Sequence, residues 1–172
     1  MPGSLVLIQE TTVSSGVSSV SLTGIDSTYD VYKVVYNNVQ PATDAQKIQI
    51  RFTVSGSPDT SSNYDRAIKI FRTSTSFNDQ SGTNDSSIES LDQGGTDTEE
   101  TLQGVNYLFN FNNSSEYSFI TIEGTARSST GELNARQGGG VLTVAQACDG
   151  IQYFFASGNI DSGTFKLYGL KK

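Results

Sequence analysis

The stretch Lys47-Ile-Gln-Ile-Arg-Phe-Thr-Val54 decides the fold class. Successive side chains of an extended chain point to opposite faces, so Ile48, Ile50, Phe52 and Val54 share one face and Gln49, Arg51 and Thr53 the other. The same two-residue period recurs outward from it. Val105, Tyr107, Phe109 and Phe111 alternate with Asn106 and Asn110; Ile151, Tyr153 and Phe155 line up near the C-terminus, followed by Phe165 and Leu167. Weaker strand candidates are 5–10, 17–22, 31–36, 67–72, 117–123 and 141–145. β-branched and aromatic residues fill these positions, as a pleated, half-buried surface favours.

The punctuation agrees. Ser55-Gly-Ser-Pro-Asp59, Asn112-Asn-Ser114, Asp149-Gly150 and Asp161-Ser-Gly163 are short turn-forming runs between the candidates. Helical periodicity is confined to Asp85–Leu91, where Asn84 or Asp85 is placed to cap one or two turns. The expectation is therefore an all-β chain: an antiparallel, jelly-roll-like β-sandwich of about eight to ten strands with little helix. At 172 residues it is expected to form one domain, spanning 1–172. The run from Thr73 to Thr101 breaks the pattern. It is polar and acidic, with Phe77, Ile88 and Leu91 as its large apolar residues, and reads as a long insertion, mobile or pinned by a neighbour.

Composition removes several chemistries. With His at 0, neither a Ser-His-Asp triad nor an imidazole metal site can be built, and with Cys at 1 there is no intrachain disulfide and no thiolate zinc cluster. The net charge of −7 argues against nucleic acid as a partner, because a phosphate backbone repels such a chain. Half of the 18 acids lie between Arg72 and Arg127, where there is no Lys or Arg, so one face is expected to be acidic. No apolar run approaches the length of a membrane span, and Met1-Pro-Gly-Ser lacks the basic start of a signal peptide. A cytosolic product without a membrane partner is the expectation.

The remaining site candidates are modest. Asp59, Ser61, Asn63 and Asp65 set oxygen side chains at every second position, like the first half of a calcium loop. Tyr64 stands where that loop needs Gly and Ile70 where it needs a bidentate Glu, so an ordinary turn is expected and no metal. Glu99 with Glu100 and Glu116 with Glu123 are carboxylate pairs, but a glycosidase needs two carboxylates opposed across a sugar. Gly138-Gly-Gly140 lacks the Lys-Ser/Thr ending of a phosphate loop and reads as a flexible joint or a close backbone approach. Cys148, with no base beside it, reads as a small buried hydrophobe. No catalytic residue and no cofactor are expected.

The tail reads Gly150-Ile-Gln-Tyr-Phe-Phe-Ala-Ser-Gly-Asn-Ile-Asp-Ser-Gly-Thr-Phe-Lys-Leu-Tyr-Gly-Leu-Lys171. It resembles the ending of a set of bacteriophage structural proteins, which close on a Ser-Gly-Asn-(Ile/Phe)-x-Ser-Gly turn and a last strand ending Leu-Tyr-Gly-(Ile/Leu)-Lys. Ser21-Leu-Thr-Gly-Ile-Asp-Ser-Thr-Tyr29, Ile50-Arg-Phe52 and Ser61-Ser-Asn-Tyr64 are similar to the family's front half. The resemblance covers about a third of the chain and implies a jelly-roll-like virion component without catalysis. A capsid decoration or cement protein is the expected role, added from the cytoplasm to the head, and a tail-fibre or tail-tip module recognising a host receptor or glycan is the alternative. The expected partners are the major capsid protein or other virion proteins and further copies of the chain, a trimer before a monomer. The strand at Met1–Glu10 and the Thr73–Thr101 loop are the expected contact segments, through Leu5, Leu7, Phe77, Ile88 and Leu91. Gly24, Gly158-Asn159 and Ser162-Gly163 are expected at positive-φ turns of bulged hairpins.

Overall fold

A computed structural model describes residues 5–75 and 77–171. Met1–Ser4, the start of one expected contact segment, lie outside the described residues. Thirteen strands run through the described residues: β1 (Leu5–Val13), β2 (Val20–Thr23), β3 (Val31–Pro41), β4 (Gln46–Val54), β5 (Ser57–Pro58), β6 (Tyr64–Arg72), β7 (Phe77–Asp85), β8 (Ile88–Gly94), β9 (Leu102–Phe109), β10 (Ser118–Arg127), β11 (Leu133–Leu142), β12 (Gly150–Phe155) and β13 (Ile160–Leu170). They form two antiparallel sheets, ordered β1-β13-β3-β9-β10-β11-β6-β7 and β2-β12-β4-β5, with β8 also on β4.

The pairing has a simple logic. β1 pairs β13, β2 pairs β12, β3 pairs β9 and β4 pairs β8. The chain is thus one long antiparallel ribbon, rolled so that successive pairs fall in alternate sheets, which is the jelly-roll arrangement. β5–β7 and β10–β11 are additions to this ribbon. β10, β11, β6 and β7 extend the larger sheet beyond β9.

Between the sheets lie the residues that the alternation placed inside. Ile48, Ile50 and Phe52 of β4, Ile151 and Tyr153 of β12, and Phe165 and Leu167 of β13 are fully buried. Tyr36, Tyr153 and Phe165 pack ring against ring with centroids 5.3–6.3 Å apart. The polar tips are satisfied: Tyr153 donates to Asn106 Oδ1 at 2.7 Å, and Asn106 Nδ2 donates to the Thr121 carbonyl at 2.9 Å. That pair reverses the expected facing of β9. Asn106 and Leu108 point into the core, and Val105, Tyr107 and Phe109 point out.

Two further expectations are corrected. Asp85–Leu91 forms no helix: Asp85 ends β7, and Ile88 and Leu91 sit in β8 opposite Ile50 and Ile48. A register shift at Ser90 inserts one residue, so side chains three apart share a face, and a helix-like spacing serves a bulged strand. The Thr73–Thr101 run is accordingly two strands, one of them a member of the rolled ribbon. At the tail, Gly158 (φ 78°) and Gly163 (φ 136°) do take positive φ. Gly158 shapes the connection, an arch between sheets, since β12 pairs β2 and β4 while β13 pairs β1 and β3; Gly163 lies within β13 at a register shift against β3.

Candidate functional site

Four of the seven acids in 73–101 meet cations from outside the run. Arg136, on the inner face of β11 and 2 % exposed, donates from Nη1 to Glu89 Oε1 and to Gln80 Oε1, both at 2.9 Å. Its Nη2 lies 2.9 Å from Asp92 Oδ2 at an angle outside hydrogen-bond geometry, so that contact is Coulombic. Lys47 Nζ reaches Glu89 Oε2 at 3.1 Å, Lys69 reaches Asp79 at 2.7 Å, and Arg66 pairs with Asp85. Burial alone would raise the Glu89 carboxyl, but hydrogen bonds from Arg136, Lys47 and Gln80 outweigh it and hold the group below its ordinary range. A carboxylate so held is a structural anion and a poor general acid.

The turn at Asp59 is likewise committed. Asp59 Oδ1 accepts the Ser61 N–H at 2.8 Å and Oδ2 accepts Gln146 Nε2 at 2.6 Å. The Asn63 carbonyl accepts from Thr143, and Asp65 Oδ1 accepts the Asn84 N–H at 2.9 Å. Asp59, Ser61, Asn63 and Asp65 therefore serve an Asx turn and strand contacts. Among the described residues no group of three or more Cys, Asp and Glu is placed to hold a metal ion. Cys148 is fully buried, and burial pushes its thiol up to about 11. We expect no reaction with a disulfide thiol reagent at pH 8 in the native protein and one equivalent after denaturation, read by absorbance.

Interaction surfaces are better developed. The outer face of the larger sheet carries an apolar row that crosses six strands. Leu5 pairs Leu170, Val31 pairs Phe109, Phe109 pairs Phe119 and Phe119 pairs Val141; Leu170 follows Gly169 and Val31 precedes Tyr32, and Gly169 and Tyr32 are paired. Leu7, Tyr168, Lys33 and Tyr107 form the next row, with Lys33 Nζ 5.4 Å from the centre of the Tyr107 ring. The third row holds the Glu10–Lys166 ion pair at 3.3 Å, Val35, Val105 and Glu123. At the far edge, Phe71 and Phe77 meet edge to face with centroids 5.8 Å apart, beside exposed Leu133. Phe77 is 63 % exposed.

Of the five expected contact residues, the structure leaves Leu5, Leu7 and Phe77 on the surface, at opposite edges of one sheet face. Ile88 and Leu91 are fully buried, and this corrects their assignment: from β8 they project across the sandwich onto Gly140 of β11 and Gly124 of β10. Phe119, Tyr117, Phe71 and Leu133 are exposed apolar residues that the alternation alone did not single out.

One hollow of about 370 Å³ opens at the loop end, lined among others by Asp26, Tyr29, Asp30, Asn110, Asn112 and Asn113. Asp26 Oδ1 accepts the Thr28 N–H at 2.8 Å; bonds from Thr28, and one from Tyr32, hold the carboxyl below its ordinary range. Comparison of the chain with protein-family models, with curated proteins and with solved structures finds no match. Among the described residues no helix is long and apolar enough to cross a membrane.

Proposed function

We propose that the chain is a non-enzymatic structural protein of a bacteriophage virion, acting as a capsid decoration or cement protein. The observation that carries the reading is the aromatic corner at the free edge of the larger sheet. Phe71, Phe77 and Leu133 stand in solvent at or beside β7, an edge strand whose outer backbone groups have no ladder partner among the described residues. Edge strands and exposed aromatics are the two features by which a rigid sandwich buries surface against a neighbour. The tail and front motifs, similar to those of phage structural proteins, supply the context. The mechanism is non-covalent stapling: the rolled core keeps the shape fixed, and the corner and edge dock on capsomers, with the major capsid protein as the partner. A total of ~1,200–2,000 Å² per contact, repeated over a shell, suffices.

A second reading is favoured by the loop-end hollow. A tail-fibre or tail-tip module recognising a host glycan needs ionised carboxylates and amides to take sugar hydroxyls, with an aromatic wall, and Asp26, the three asparagines and Tyr29 offer that set. Quantitative mass spectrometry of purified particles tests both. Hundreds of copies per particle, and particles that rupture at lower temperature without the chain, are expected for a decoration protein. A few dozen copies would favour the fibre reading, and absence from particles would overturn both.

A further inference from the structure

We infer that the apolar rows on the outer face of the larger sheet form the contact through which two copies of this chain associate, sheet against sheet. The inference deepens the assembly reading above by naming the partner of one surface.

An antiparallel sheet with one solvated face normally sets polar residues outward. Here the outward positions split by row. Toward the Thr12, Thr164 and Asn37 end they are hydroxyls and amides. Toward the other end they are Leu5, Leu170, Val31, Phe109, Phe119 and Val141, one from each of six neighbouring strands. Even β9 presents its aromatic side to solvent and turns Asn106 inward. Such confinement marks an interface better than scattered exposed residues do.

Charge selects the occupant. The chain carries −7 overall, so two copies repel along most approaches. On the outward positions of this sheet, Lys33, Lys69, Arg127 and Lys166 stand against Glu10, Asp65, Asp79, Glu123 and Asp161, four cations to five acids, or −1. On this face a like-charged copy meets almost no net charge.

Area agrees. Six strands at ~4.8 Å and three outward rows at ~6.8 Å cover ~600 Å² of sheet plane, before the relief of the side chains is counted. A standard interface buries ~800 Å² per partner. A partner of basic, extended shape would instead seek the exposed acids away from this face.

Analytical ultracentrifugation of the full chain tests the assignment. The wild type is expected to sediment as a discrete multiple of 18.4 kDa. Phe119→Lys, at an exposed aromatic of the row, and Leu7→Lys, on edge strand β1 in the adjoining row, are expected to weaken association at least ~30-fold, as loss of an anchor residue does, with unchanged thermal melts. Phe77→Lys, at the far corner, is expected to leave the mass unchanged. If Phe119→Lys fails to fold, Leu7→Lys decides. A wild type that stays monomeric at ~100 μM, well above the dissociation constant of a specific interface, overturns the inference. So does an oligomer indifferent to both row variants. Neither result bears on whether the chain is found in particles, which mass spectrometry reads separately.

Discussion

Replacing Arg136 by Met is expected to lower the melting temperature by ~10 °C at pH 7, from a loss of ~3–5 kcal/mol at ~2–4 °C per kcal/mol for a chain of this size. Methionine fills much of the arginine volume, so the loss is electrostatic. Glu89, 7 % exposed, and Asp92 are left facing each other with Lys47 alone to offset them. An uncompensated buried charge costs far more than a pair contributes. The pH dependence separates this from a packing defect. Glu89 is held below its ordinary 4.5 in the native state, its burial outweighed by bonds from Arg136, Lys47 and Gln80. A carboxyl depressed in this way contributes stability that is complete above 4.5 and is lost as pH falls through the lower native value. In the variant the same carboxyl is raised, and protonation relieves it. The gap between wild type and variant is therefore expected to narrow steadily below about pH 5, the upper end of the carboxylate range. Adding Glu89→Gln and Asp92→Asn to the methionine variant is expected to recover most of the loss at pH 7, because both sides of the pair are then neutral. Calorimetric scans of the three proteins at pH 4 and pH 7 check each statement; a gap that is flat with pH would assign the effect to packing.

That network also shows where sequence reading stops. The strands at Lys47–Val54 and Ile151–Phe155 were legible because one face is core and the other is solvent, so the two-residue period states the burial directly. β9 has the same period with the opposite facing. A buried Tyr153 hydroxyl across the sandwich demands Asn106, and nothing within residues 102–109 announces it. Ile88 and Leu91 were misplaced for a related reason. Their spacing of three fits a helix in isolation, and only the pairing with β4 reveals the inserted Ser90. The acidic run reads as a surface because its cation partners lie outside it: Arg66 and Lys69 on the preceding strand β6, and Lys47 and Arg136 on strands more than forty residues from Glu89. For the surfaces, exposure of Phe77 is readable, since it sits in a polar segment with no alternation to bury it, whereas Leu5 and Leu7 lie in the apolar run 5–8 and are exposed on the outer face of edge strand β1. The row through Phe119 is not readable, because it exists only once six strands are in register.

Gly138→Ala is expected to cost ~3 kcal/mol, ~6–12 °C in melting temperature, at the upper end of what inserting one methyl group does. The triple glycine is a close backbone approach in the middle of β11, with Gly138, Gly139 and Gly140 opposite Ile68, Ala67 and Arg66 of β6. A Cβ on Gly138 stands 2.7 Å from Ile68 Cα and nearer still to the Ala67 carbonyl oxygen. Both are backbone atoms of a paired strand, so no rotamer change makes room; β6 itself must move. Ordinarily Gly→Ala in a strand contributes ~0.4–1 kcal/mol by restricting the unfolded chain. Here the clash outweighs that gain, whereas at Gly139 the nearest atom is the Ile120 carbonyl oxygen at 3.0 Å, a few tenths of an ångström from ordinary contact. Gly139→Ala is therefore expected to fall within ~1 kcal/mol of wild type, making the two neighbours a matched pair in thermal melts. The displacement also has a direction. Among the described residues β6 is the ladder partner of β7 in the larger sheet, and Gln80 on β7 also donates to Glu89 and accepts from Arg136 of β11. Shifting β6 off β11 thus loosens the buried charge network as well as the aromatic corner at Phe71 and Phe77. Gly138→Ala and Arg136→Met are accordingly expected to be sub-additive when combined, since each removes part of what the other depends on; full additivity would show that β7 holds its place without β6.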